Sequence, residues 1–281
     1  KKGHHIPIAL LKSAVKDPIL RKGALDAMGW SKSNKAIPYL IRGLKDKNKA
    51  VREASLVALV NLASALPGPM KGKLKRQMGA AITDDTYRQI IRSLESYNID
   101  VQRAAVIVLG WARMDEALLS LVRLGAGEES LCDAVCASIG DIGRKGLPVL
   151  LKAFPNLDAK ARALVARALS GVPGDSTKEA LLSFLMDEDH AVRVQASLSL
   201  GRLFSNKEAP DEVVEALVRG LDDSEEEVQK ASREALLVLG HSSRKKVIEV
   251  LTRIPVQSSP TQKKNAIEII GVLGGRDELN H

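Results

Sequence analysis

The chain has 281 residues, 45% apolar and 27% charged, which supplies material for a core and for a water-facing surface. Three Phe, three Tyr and two Trp are too few for an aromatic-lined cofactor pocket or a stacking platform for single-stranded nucleic acid. The net charge of +8 is uneven: residues 1–76 hold 17 Lys and Arg against four acids, so a basic head precedes a mildly acidic remainder. No apolar run approaches the ~20 residues of a membrane-crossing helix, and two Cys cannot build a disulfide framework.

The predicted elements recur as a unit: an apolar helix, a short turn, and a second helix that opens on a Val-Arg-like pair. The units lie near 5–29, 36–62, 86–110, 116–140, 145–171, 177–201, 210–240 and 244–271. In chain order the pairs are Leu20-Arg21, Val51-Arg52, Val101-Gln102, Leu131-Cys132, Ala161-Arg162, Val192-Arg193, Val228-Gln229 and Gln262-Lys263, separated by 31, 50, 30, 30, 31, 36 and 34 residues. Four positions after the first member of a pair stands a small residue (Ala24, Ser55, Ala105, Ala196, Ser232, Ala266), and nine positions after it a glycine (Gly29, Gly110, Gly140, Gly201, Gly271). Matched internal offsets across eight units mark a repeat architecture, in which no unit buries its apolar face alone.

Each recurring residue type carries an expectation. Pro7, Pro38 and Pro148 stand near helix starts, where a missing N–H costs little. The small residues let neighbouring second helices approach. The glycine is expected to supply a left-handed C-terminal stop. An Asp six residues before the Arg position, as in Asp46 and Arg52 or Asp187 and Arg193, is expected to cap the second helix. An Arg at a fixed offset can also reach the Asp of the adjacent unit, so Asp46, Arg52, Arg162, Asp187, Arg193 and Asp223 are expected to form a ladder along the stack. Cys132 takes the Arg place in the fourth unit, where the ladder should be interrupted. Trp30 and Trp111 follow equivalent glycines and are expected to plug equivalent corners between repeats, the other reading being an anchor for a partner. The 50-residue step leaves a basic insertion at 63–82. Pro67-Gly68-Pro69 breaks a helix there, and Lys71, Lys73, Lys75 and Arg76 then form either a solvated loop or a basic finger.

The apolar helix, the turn Asp, the Val-Arg pair and the closing Leu-Gly resemble the HEAT family of helical repeats, in the short form also found in phycobilin-lyase-like proteins. The resemblance covers nearly the whole chain and implies an all-α fold: an α-solenoid of about eight antiparallel helix pairs in a right-handed superhelix, with first helices on the convex side and second helices on the concave side. Both ends read as cut through an array, at Ile6 and at Gly274-Gly275-Arg276-Asp277-Glu278-Leu279, and predict a fragment of a longer chain.

The sequence contains no phosphate loop, nucleophile elbow or His-Glu-x-x-His. His4, His5, His190, His241 and His281 are scattered, and Cys132 and Cys136 read as small packed side chains. The expectation is a non-catalytic scaffold without metal, cofactor, membrane segment or small-molecule substrate, holding an acidic protein or peptide on its concave surface and basic head. Arg21, Lys22, Lys49, Arg52, Lys71, Lys73, Lys75 and Arg76 are the candidate contacts. Nucleic-acid binding through the same basic half is the alternative, and an accessory lyase-like role follows from the resemblance alone. The default compartment is the cytoplasm, and a cleaved leader would leave no trace in the chain.

Overall fold

The computed structural model describes residues 7–275. His4, His5, Ile6, the 276–279 opening of a further unit and His281 lie outside them. The described residues are all-helical and form two compact units. One comprises residues up to 124 together with 133–142, and the other 125–132 together with residues from 143 onward.

In the first unit the helices are α1 (Ile8–Ala14), α2 (Arg21–Gly29), α3 (Ile37–Gly43), α4 (Lys49–Ala65), α5 (Gly68–Ala81), α6 (Asp84–Ser93) and α7 (Ile99–Trp111), followed by most of α8 (Leu118–Gly127) and α9 (Cys132–Ile142). The second contains α10 (Leu147–Ala153), α11 (Ala159–Leu169), α12 (Asp175–Phe184), α13 (His190–Leu203), α14 (Asp211–Gly220), α15 (Glu226–Leu239), α16 (Arg244–Thr252) and α17 (Pro260–Gly274). Short first helices alternate with longer second helices. Second helices pack on second helices: α2 on α4 and α4 on α7 in the first unit, α11 on α13, α13 on α15 and α15 on α17 in the second. This succession of helix hairpins is an α-solenoid.

The core follows from the periodicity. In α4, Val51, Ala54, Ser55, Ala58, Leu59 and Leu62 are buried at helical spacing. The small residues four positions after each pair, Ala24, Ser55, Ala105, Ala196, Ser232 and Ala266, are all buried. The two hydroxyls among them keep a partner: Ser55 Oγ donates to the Val51 carbonyl and Ser232 Oγ meets Ser197 Oγ at 3.3 Å.

The structure corrects two roles. The recurring glycines are not left-handed stops. Gly29, Gly110, Gly140, Gly201 and Gly271 all lie within helices, and positive φ among the described glycines occurs at Gly143 and Gly174. At Gly110 and Gly201 the reason for glycine is proximity: a Cβ would stand 2.7 Å from the Ser138 Cα and 2.9 Å from the Ala235 Cα. The turn Asp is not the helix cap either. Asp46, Asp187 and Asp223 accept the backbone N–H two residues on, from Asn48, Asp189 and Glu225, at 2.9–3.0 Å. They thus close a turn that presents the next residue pair to the helix. In two of these repeats the cap is that later residue: Asn48 accepts from Ala50 N–H and Asp189 from Ala191 N–H.

The insertion is corrected as well. Pro67 and Pro69 do interrupt the chain after Ala65, but the residues beyond form the 14-residue helix α5, with Pro69 in its first turn. Leu74 and Met78, one helical turn apart, bury one face of α5, which packs on α3 and α7.

Candidate interaction surface

The ladder is built from Arg side chains that do two things at once. Arg193 donates through Nη1 to the carbonyls of Asp187 and Glu188 in its own turn, at 2.9 and 3.1 Å. Its Nε and Nη2 grip both carboxylate oxygens of Asp223 in the next repeat, at 2.8 and 2.7 Å. Both side chains are largely enclosed, 13% and 15% exposed. Arg162 meets Asp187 at 2.9 Å, and Arg21 meets Asp46 at 2.9 Å. Arg52 makes only the first kind of bond, to the carbonyls of Asp46 and Lys47 at 2.8 and 2.9 Å. Cys132, at the Arg place, instead receives a 3.1 Å contact from Arg167 Nη1.

Two of the rung carboxylates, Asp46 and Asp223, are held in their charged form. At Asp223 burial pushes the carboxyl up, but the hydrogen bonds from Arg193 and from the Glu225 N–H, with the Arg193 charge, outweigh it and leave the group below its ordinary 3.8. Asp46 is lowered in the same way, burial being outweighed by the Asn48 N–H, Arg21 and Arg52. A folded-state value below the unfolded one contributes stability above the ordinary carboxylate range, and that stability disappears as pH falls through the folded value. The stability difference between the wild type and Asp223→Asn is therefore expected to be full at pH 6 and to close progressively below pH 3.8. Thermal unfolding of both proteins across pH 6 to 2 measures it.

The basic candidates separate by how far the fold already uses them. Arg21 and Lys75 are consumed internally: Arg21 also donates to the Val15 and Lys16 carbonyls, and Lys75 Nζ meets both oxygens of Asp141 at 2.6 and 2.7 Å, whereas Arg52 is tied through Nη1 alone. Lys22 pairs with Asp26 at 3.2 Å and Lys49 with Glu53 at 3.7 Å, one turn along the same helix. Such exposed pairs yield readily to a partner. Lys71, Lys73 and Arg76 are exposed on α5 and pair with no carboxylate among the described residues.

Trp30 overturns its expected packing role. It is 71% exposed, beside a groove of about 430 Å³ formed by the second helices of the first unit. Asp26 on α2, Val57, Val60 and Asn61 on α4, and Asp100 and Arg103 on α7 line it with Trp30. Trp111, at the corresponding place on α7, is half-buried. The two tryptophans follow identical glycine signals. Only the neighbours in space decide which is covered, so the sequence carried no sign of the difference.

Among the described residues no three His, Cys, Asp or Glu converge as a metal site, and no helix is long and apolar enough to cross a membrane. Cys132 and Cys136 are in no disulfide, and both are half-buried. His190 opens α13 and its Nε2 lies 3.2 Å from Glu227 on the solvent side.

Comparison with known proteins identifies the repeat. The HEAT repeats family matches residues 147–237, and the single HEAT repeat matches residues 36–66. Among functionally curated proteins, none matches the chain. Similar solved structures include an engineered protein at 21% identity, covering 95% of this chain and 82% of that one, with a TM-score of 0.45. An archaeal HEAT-like repeats protein from Thermococcus onnurineus NA1 is 10% identical over 97% of this chain and 99% of its own, with a TM-score of 0.42. The complex of CpcE and CpcF of phycocyanin lyase from Nostoc sp. PCC7120 is 18% identical over 97% of both chains, with a TM-score of 0.36. At these scores none of the three carries a functional argument.

Proposed function

The chain belongs to the HEAT-repeat family, and from that premise we propose that it is a non-catalytic scaffold holding an extended segment of a partner protein across the α2–α4–α7 face of its first unit. The observation that carries this reading is the exposed Trp30 at the rim of that groove. A large ring left in water on a folded surface costs solvation and is recovered when a partner covers it. Val57 and Val60 supply an apolar floor, and Asp26, Asn61, Asp100 and Arg103 supply polar groups on both sides. That composition suits a chain with exposed backbone amides and carbonyls. Lys71, Lys73 and Arg76, exposed on α5 and paired with no carboxylate among the described residues, favour an acidic partner segment.

The chain's two tryptophans make the test direct. With Trp111→Phe, Trp30 becomes the sole tryptophan reporter. Peptides selected from a display library on the immobilised protein should be rich in Asp and Glu and should shift Trp30 emission to the blue. Trp30→Ala should weaken them about 30-fold, the size of an interface hot spot, with the thermal midpoint unchanged because the ring is 71% exposed. Peptides that bind Trp30→Ala as tightly as the wild type would refute the reading.

A second reading, nucleic-acid binding, is supported by Lys71, Lys73 and Arg76 of α5, which pair with no carboxylate among the described residues. Duplex DNA or RNA binding at low salt, with a salt slope that falls by about 3 when Lys71, Lys73 and Arg76 are replaced by Ala, would favour it.

A further inference from the structure

One rung of the Arg–Asp ladder is open. In the repeat near 86–110 the place of the turn Asp is held by Ser96. The Asn98 N–H donates to Ser96 Oγ at 3.3 Å, just as the Asn48 N–H donates to Asp46 Oδ1 at 2.9 Å. The serine hydroxyl preserves the turn but brings no charge. Arg52, one repeat earlier, is nonetheless held in the manner of Arg193. Its Nη1 is fixed by two carbonyls of its own turn, at 2.8 and 2.9 Å, against 2.9 and 3.1 Å for Arg193. What is missing is the carboxylate that Arg193 grips with Nε and Nη2, and among the described residues none pairs with Arg52.

The vacant place is a real space. A cleft of about 410 Å³ is lined by Arg52 and Lys49 from α4 and by Arg92 and Ser93 from α6, with Glu53 and Glu95 also lining it. Arg92 is the counterpart of Arg42 and Arg219, each four residues before the turn position held by Ser96, Asp46 and Asp223. Glu53 leans toward Lys49 and Ser96, at 3.7 and 3.5 Å, rather than onto the Arg52 fork. Three cations against two carboxylates leave the cleft positive by one charge.

We infer that the Arg52–Arg92 cleft is a carboxylate-binding site that takes an Asp or Glu side chain of a partner protein, completing the missing rung from outside the chain. The intact Arg193–Asp223 rung shows the fork geometry, two N–H donors on one planar carboxylate. Glu53 and Glu95 at the same cleft admit a monoanion more readily than a phosphate dianion. The inference rests on the reading of the chain as a protein-binding scaffold, but the cleft shares no residue with the Trp30 groove.

The closing experiment supplies the missing acid in cis. A fluorescein-labelled oligo-aspartate peptide and a phosphoserine peptide of the same length are titrated by fluorescence anisotropy against the full chain and four variants. Ser96→Asp should raise the thermal midpoint by about 2–4 °C and weaken the aspartate peptide at least tenfold. Asn98→Asp adds the same charge two residues away, and Ser96→Asn adds none; both should stay within about twofold of the wild type. Arg92→Gln should weaken the peptide severalfold. Unchanged affinity or an unchanged midpoint in Ser96→Asp overturns the inference, as does an equal loss in Asn98→Asp. A phosphoserine peptide that binds more tightly, and is also lost in Ser96→Asp, overturns the carboxylate assignment. Library peptides that respond to Trp30→Ala but not to Ser96→Asp leave the scaffold reading standing without this site, whereas insensitivity to both removes both.

Discussion

Replacing Arg193 by Ala should cost about 2–4 kcal/mol, the range for breaking a largely enclosed, bidentate ion pair. Four hydrogen bonds disappear together: two to the Asp223 carboxylate and two to the Asp187 and Glu188 carbonyls. The larger part of the loss comes from what stays behind. Asp223 remains a charged group in a place shaped for a cation, and two turn carbonyls lose their donor. A urea titration reads the effect, and a cycle with Asp223→Ala separates the pair from the carbonyl bonds: the double variant should lose less than the sum of the single losses, by more than about 1 kcal/mol. Arg52→Ala gives the internal comparison. Arg52 makes the same carbonyl bonds without a carboxylate, so its loss should be the smaller by about the value of that coupling. Equal losses at the two positions would show that the turn carbonyls, not the ladder, hold the repeats.

Gly201→Val should be still more damaging, at about 3 kcal/mol or more, because the obstruction is backbone rather than side chain. A Cβ at 201 would stand 2.9 Å from the Ala235 Cα and 3.0 Å from its Cβ. Relief requires α13 and α15 to separate, which opens the contact along both helices. Thermal unfolding of the purified variant measures the loss. Gly271→Ala, at the same repeat offset in α17, has nothing within 4 Å of the added methyl. It should stabilise by a few tenths of a kcal/mol, up to about 1, through helix propensity alone. Opposite signs at two glycines of one sequence pattern would establish that the packed neighbour, not the backbone conformation, makes glycine necessary. A tolerated Gly201→Val would contradict the close approach of α13 and α15.

Much of the fold was legible because repetition amplifies weak signals. A single Val-Arg pair means little, but Val-Arg-like pairs along eight units, six of them with a small residue at a fixed offset, specify helices whose apolar stripes must meet. The Arg–Asp partners were legible for the same reason, since a constant offset on stacked hairpins brings constant neighbours. The open rung was written in the sequence too. Ser96 stands six residues before Gln102, where Asp46 and Asp187 precede their arginines, and comparison of the two positions would have found it.

Other features could not be read in advance. Pro67-Gly68-Pro69 announced a break, but whether the next stretch coils or winds into α5 depended on Leu74 and Met78 finding α3 and α7 to cover them. The basic residues looked alike as letters, yet Arg21 and Lys75 are tied to carboxylates and Arg52 to carbonyls alone, while Lys71, Lys73 and Arg76 face water.

The sequence by itself determined that this protein is a stack of helix hairpins and which residues recur at their joints, because periodicity and offset are properties of the chain. Tertiary structure alone decided that Gly29, Gly110 and Gly201 are contact points while Gly271 is not, that Trp30 is exposed while Trp111 is half-covered, and which cations remain unengaged. Those outcomes depend on the distance to a neighbouring helix, and that distance is set by side chains some thirty residues away along the chain.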